Sequence, residues 1–526
     1  MYLAKVTRPL LLAALVAVVA AVPAGAVTQQ ELPVVVVPGL TLADLPELAA
    51  HGAVGLLVPA NGRETSGVQA RAALAQGETR PSYLGGGVPS GATRITYETA
   101  DSVDFSRPQI VLGLPSGAAQ PNDQVYPVAV IAPGYGGLLT SDSTRLPGVI
   151  SITDIAPTAL GEVDALGSTA QTDPSGRVLA LDELIRERRE NRLSSALLVG
   201  ALIVLLVFVL PRAAALAYAT ALTANLVLGA TETSATWIVL CSVGLAIAAA
   251  VPLSRVVRGP TRLGLALAAV LVLYLVAFVL DGSWVAYSPW GPPQNGRFYG
   301  VSNLLETMLL VPALVSAALL VRRFGPLAFA GVALLSFVLI AGSRFGADGG
   351  GALVLAAGYA VLGALLAGLR GRRLAAAVAG AALAAGALIG IDAATGGSSH
   401  VTKAIGGGPD TLASHFGERL HVSWERVTVG PGPGLATLLS LIALTVLVVR
   451  LLRSEASWAE RALPLAFATA VAVSLLVNDS PSDVAVTGLV GYLVCEAVML
   501  RARCAAASSL RSSWAAYWPA AEERRT

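Results

Sequence analysis

The chain is 526 residues long, 55% hydrophobic and only 13% charged, with a formal net charge of +2 and a mean hydropathy of +0.70. That composition excludes an ordinary soluble globular protein, while the length leaves room for two or three domains. No basic, aromatic-interleaved patch speaks for nucleic acid as a partner. The N-terminal 180 residues hold none of the three cysteines, Cys241, Cys495 and Cys504, which excludes a disulfide or zinc–thiolate framework there. Buried thiols behaving as small hydrophobes are expected instead. Only Lys5 and Lys403 are lysine, and richness in Ala, Gly and Val points to a GC-rich bacterial genome.

Residues 1–26 have the form of an export segment: Lys5 and Arg8, a short apolar run, then Ala24-Gly25-Ala26. Cleavage after Ala26 and an uncleaved anchor give the same topology, with the chain from Val27 onward on the extracytoplasmic side. Residues 27–180 contain no span-length apolar run. Short β-like runs at 34–37, 109–112, 128–131 and 149–152 alternate with helical stretches at 42–51 and 68–76, and 84–92 and 114–124 have loop composition. Such alternation predicts an α/β layer with a largely parallel sheet.

Two stretches carry a resemblance. VVVVPGLTLADLPELAAHGAVGLL resembles the opening strand, loop and helix of the alkaline phosphatase/sulfatase superfamily. PGVISITDIAPTALGEV is similar to its late strand and the helix after it, capped at Thr153 or Asp154, and VAVIAPGYGG sits where a metal-binding Asp-His pair belongs. The resemblance implies an alkaline-phosphatase-like domain, reduced in size, over most of 30–170. Pro38 stands in place of the first metal-binding aspartate, Pro133-Gly134 in place of the Asp-His pair, and His51 is the domain's one histidine. With no ligand set for two zinc ions, the domain reads as a metal-free pseudoenzyme, kept to bind glycan or another envelope protein. Thr65 and Ser66 match a nucleophile position, but nothing there activates a hydroxyl. His51 reads as a surface helix residue.

Residues 181–193, LDELIRERRENRL, form a charged helical stalk read as a solvated face. Beyond it an all-α polytopic domain spans 194–500. It has about eleven candidate transmembrane helices: 194–211, 213–230, 234–253, 263–280, 302–321, 326–342, 350–368, 374–391, 433–449, 463–478 and 484–500. Gly380 and Gly386 read as helix-packing surfaces. Residues 501–526 form a tail. Alternate loops carry fourteen arginines, from Arg212 to Arg503, whereas the short loops between them offer only Arg297 and Arg344. By the positive-inside rule, the chain is a multi-pass protein of the bacterial inner membrane, with residues 27–193 extracytoplasmic and its C-terminus cytoplasmic.

The outward loops hold the candidate chemistry. The first contains Arg297, Asn303 and Glu306, the last a turn inside an apolar helix where a carboxylate is costly. The second has Arg344 and Asp348 beside three glycines that would let backbone N–H groups approach an anion; a local Arg344–Asp348 ion pair is the simpler reading. The long loop 392–432 has His400, His415, Arg419 and His421, and the last loop Asn478 and Asp479. Arginines grip phosphate and a histidine can deprotonate a hydroxyl near neutral pH. The order GRFYGVSN, GSRFGA, then RLHVSWERVTVGPG in a long outward loop resembles the O-antigen ligase/polymerase family. That resemblance implies a metal-free, cofactor-free glycan transferase taking a polyprenyl-pyrophosphate-linked donor. Arg297, Arg344 and Arg419 would then bind pyrophosphate, and His400, His415 or His421 would serve as base. Two other readings stand beside it: a transporter or flippase for an envelope precursor, and a non-enzymatic scaffold. No P-loop is present to drive transport with ATP.

Overall fold

The computed structural model describes residues 31–60, 64–78, 92–162, 166–294, 297–369, 371–394, 417, 421, 423–424, 427–428 and 431–508. The expected export segment, His400, His415, Arg419 and the chain beyond residue 508 lie outside them.

β-Branched runs build ten strands: β1 (Val34–Val36), β2 (Ala53–Val58), β3 (Glu64–Thr65), β4 (Tyr97–Thr99), β5 (Gln109–Leu112), β6 (Gln120–Pro121), β7 (Tyr126–Ile131), β8 (Gly137–Thr140), β9 (Val149–Ser151) and β10 (Gly167–Thr169). β3 and β6 pair with each other, and the main sheet has the order β10-β8-β2-β7-β5-β1-β4, with β9 beside β2. β1 is parallel to β4 and β5, and β2 is parallel to β8 and β9. β7, however, runs antiparallel to both β2 and β5, and β10 antiparallel to β8. The sheet is therefore mixed rather than largely parallel. Because β7 is reversed, Pro133-Gly134 lies at the opposite sheet edge from Pro38, so the two positions matched to metal ligands do not face one another.

Strand periodicity divides the sheet's residues between two cores. Val34, Val36, Ile110, Leu112, Val128 and Val130 pack with α2 (Gly67–Gln76) and α3 (Ile155–Ala159). Val35, Val37, Val111, Ala129 and Ile131 face α1 (Leu45–His51) and α4 (Pro174–Val209). Ser66 caps α2, its side chain accepting from Gln69 N (3.2 Å), so its hydroxyl has a structural use. His51 is exposed at the end of α1 and stacks on Phe105 (4.1 Å between centroids).

Helix α4 joins the two parts. Pro174 and the Asp173 cap start it, and 36 residues at 1.5 Å per residue give it a length of about 54 Å. Leu181, Leu184, Arg188, Asn191, Ser195, Val199 and Ile203 recur every three or four positions and are all buried. The charged run is thus no solvated face: one side of it is the joint between domain and bundle.

The bundle continues through α5 (Pro211–Ala230), α6 (Thr236–Val256), α7 (Pro260–Asp281), the short α8 (Ser283–Ala286), α9 (Asn303–Phe324), α10 (Pro326–Ala341), α11 (Gly349–Leu366), α12 (Arg372–Ala394), α13 (Pro431–Arg453), α14 (Trp458–Val477) and α15 (Pro481–Ser508). Each expected span falls on one helix. Among the described residues nine helices are long and apolar enough to cross a membrane, and α10 is a shorter apolar one. Large apolar side chains point outward along them, Phe208, Leu245 and Leu327 among the most exposed. The chain is a multi-pass membrane protein. α9 is its axis, with 94% of its apolar window buried. Gly491 shows why small residues matter there: an added Cβ would lie 2.3 Å from the Phe467 ring. Gly380 and Gly386, expected to pack, have nothing within 4 Å of such a Cβ. Cys495 is buried as expected, but Cys241 is exposed on α6.

Candidate functional site

Six of the residues picked out in the interhelix loops meet at the domain-facing end of the bundle. Ser302 caps α9, accepting from Leu305 N (3.1 Å) and donating to Trp290 O (2.6 Å). The first turn then puts Asn303 and Glu306, three residues apart, on one side. α14 ends at Asn478, whose Nδ2 donates to Glu306 Oε2 (2.7 Å) and to Ser474 Oγ (2.8 Å). The next residue, Asp479, accepts from Asn303 Nδ2 (2.8 Å). From the long loop, Ser423 Oγ donates to the Asn478 main-chain carbonyl (2.9 Å).

Asp348 closes the group. It caps α11, accepting from Gly351 N (3.2 Å), and it pairs with Arg297 (3.5 Å). Arg297 also donates to Gly346 O (3.2 Å), as does Val301 N (2.9 Å). Gly300, at φ +83°, permits that approach: a Cβ there would sit 2.1 Å from Gly346 O. Of the glycines after Asp348, Gly351 gives its N–H to the Asp348 carboxylate itself (3.2 Å). Their small size has another use, since a Cβ on Gly350 would come within 2.6 Å of Asn478 Oδ1.

Burial sets the electrostatics. Glu306 is fully buried, Asp348 and Asn478 nearly so. The two carboxylates are close enough to interact, and Glu306 Oε1 has no hydrogen-bond donor among the described residues. Six of the expected site residues thus converge: Arg297, Asn303, Glu306, Asp348, Asn478 and Asp479. Arg344 is exposed on the loop that carries Asp348, and His421 is exposed two residues from Ser423.

The α/β domain reaches the same place. Arg145, held at φ 55° beyond β8, donates to Ser343 O (2.9 Å) and lies over the Tyr299 ring (3.9 Å). Ala286, Tyr287 and Phe298 belong to the core under the sheet. From α4, Arg188 donates to the carbonyls of Ala286 and Pro292, and Arg192 reaches Asp483 (3.2 Å). Within the domain, Asp154 accepts from Ser141 Oγ, Ser143 Oγ and Ser151 N (2.8–2.9 Å). Burial raises its pKa above the usual carboxylate value, against the pull of those hydrogen bonds. Arg145 and Ser474 carry no motif in the sequence, and Ser423, though inside the RLHVSWERVTVGPG stretch, is not singled out there; only tertiary contacts bring the three to the site. Comparison with protein-family models, with curated proteins and with solved structures finds no match.

Proposed function

We propose that this protein transfers or ligates a polyprenyl-pyrophosphate-linked glycan at the outer leaflet of the bacterial inner membrane. One observation carries the reading: four segments far apart in sequence join in one hydrogen-bonded group, and Ser423 ties the histidine-bearing long loop to it (2.9 Å to Asn478 O). The arginine asymmetry of the loops supports an extracytoplasmic position for that end. In this reading Glu306, held by Asn478, or a loop histidine takes the proton of the acceptor hydroxyl. The sugar–phosphate C–O bond breaks as the new glycosidic bond forms, and polyprenyl pyrophosphate leaves. Arg344 and Arg419 would bind its phosphates, and Arg297, paired with Asp348, would position the acid pair. The alkaline-phosphatase-like domain, without metal ligands at the matched positions, serves as a binding module clamped over the site.

The experiment is transfer in proteoliposomes, using a polyprenyl-pyrophosphate-linked oligosaccharide and a glycan acceptor. Glu306→Gln and Arg344→Ala are expected to lose transfer by about 10²-fold or more. Full activity in both variants would refute the assignment. Burial of Glu306 beside Asp348, with one oxygen lacking a donor, also favours a second reading, proton-linked transport of the precursor. This reading expects the lipid-linked precursor to cross the bilayer with its mass unchanged.

A further inference from the structure

The end of the bundle far from the α/β domain has its own concentration of charge. α4 stops at Val209 and α5 begins at Pro211, which puts Leu210 and Arg212 on the corner between them. The last turns of α6 bring Val251, Ser254 and Arg255 to that corner, with Arg258 just beyond. These six residues line a cavity of ≈ 400 Å³, room for roughly a dozen waters at about 30 Å³ each.

Three features set this corner apart from ordinary loop charge. Arg212, Arg255 and Arg258 are all exposed, and no carboxylate lines the cavity. No ion pair engages any of them among the described residues, whereas Arg450 is paired with Glu496 (2.9 Å). Arg258 spends only its Nε on the Arg255 carbonyl (2.6 Å). Three like charges around one space repel unless an anion lies between them. Finally, Phe208, Val209 and Val256 stand 75%, 69% and 67% exposed beside the corner, an apolar flank that a free phosphate would not use. The positive-inside rule asks for charge in a loop; it does not ask for a cavity shared by two helix ends.

We infer that this corner binds an anionic phospholipid. Its phosphate sits among the guanidinium groups of Arg212, Arg255 and Arg258, whose planar forks match phosphate oxygens. Its acyl chains run along Phe208, Val209 and Val256. Basic pockets between helix ends are suited to such headgroups. This site is independent of the acid–amide group at the other end and of the reaction proposed for it.

The test is binding to the full-length protein in detergent, titrated with short-chain phosphatidylglycerol, phosphatidylcholine or inorganic phosphate. Saturable binding of phosphatidylglycerol is expected. At about 1 kcal/mol per arginine, each Arg→Gln change weakens it about 5-fold, and the triple variant on the order of 100-fold. Removing equal charge through Arg323→Gln, Arg372→Gln and Arg373→Gln should leave binding unchanged. Retained binding in the first triple variant, or equal loss in the second, would overturn the site. Phosphate binding as tightly as the lipid would reassign it to a free anion, and equal phosphatidylcholine binding would remove the role of charge. Should the triple Gln variant not fold, 0.5 M salt on the wild type decides: weakened binding supports the site, and unweakened binding refutes it.

Discussion

At the domain-facing end of the bundle, arginines are drawn inside: Arg188 is 4% exposed and donates to two main-chain carbonyls, and Arg297 reaches the buried Asp348. At the far end, Arg212, Arg255 and Arg258 stay exposed around a cavity without a carboxylate. The physical difference is desolvation. A guanidinium taken out of water must be fully hydrogen-bonded, so each buried arginine fixes the backbone it touches and holds its neighbours in one geometry. An exposed one keeps its freedom and its charge for orientation and for lipid. The first end is therefore suited to holding groups in a fixed geometry and the second to electrostatic anchoring.

Removing Arg188 should have the largest effect. Arg188→Ala leaves the Ala286 and Pro292 carbonyls without their charged donor, and a loss of about 3–5 kcal/mol is expected from two charge-assisted bonds. Unfolding in a mixed-micelle denaturant titration measures it, and a change under about 1 kcal/mol, the scale of one ordinary hydrogen bond, would erase the contrast between the two ends. Arg188→Lys should recover less than half, since a point charge cannot serve two diverging carbonyls. Next comes Gly350→Val, whose side chain pushes Asn478 off Glu306; transfer by folded protein should fall by about 10²-fold. Arg145→Ala should cost about 1–2 kcal/mol in docking of the domain, read as faster proteolysis between domain and bundle.

The smallest effect concerns Asp154. Its folded pKa is raised by burial, so its contribution to stability is full below the unfolded value of about 4 and is lost as pH rises through the folded one. Asp154→Asn keeps an acceptor for the two serine hydroxyls and for Ser151 N. The domain's resistance to pulse proteolysis should then lose part of its dependence on pH above about 4. An unchanged profile would remove Asp154 as the source.

Local forces leave their mark on a sequence, and tertiary ones do not. Span-length apolar runs and loop arginines locate the helices because bilayer thickness acts on every span alike. The strands at 109–112 and 149–152 are visible through their β-branched runs. β2 is not: AVGLLV is apolar at nearly every position and follows α1 directly, so no alternation marks it, although all six of its residues are buried. Nor does periodicity encode strand direction, so the reversal of β7 leaves no trace in the residue pattern. At the site, residue type and loop position pick out Glu306, Asp348 and Asn478 one by one. Their mutual contacts, and the part played by Ser423, depend on how α9, α11 and α14 pack. The three glycines after Asp348 illustrate the limit: small residues at a helix start fit an anion site and a close helix crossing equally well, and the approach of Gly350 to the Asn478 side chain is legible only in the packing.

The most direct measurement compares lipid-linked precursors and finished envelope glycans in the native host carrying wild-type protein or Glu306→Gln at equal abundance. Accumulation of the outer-leaflet, lipid-linked precursor with loss of its transferred product is the result expected if the buried group at the domain-facing end is the reacting centre. An unchanged profile, with the variant folded and in the membrane, would contradict that assignment.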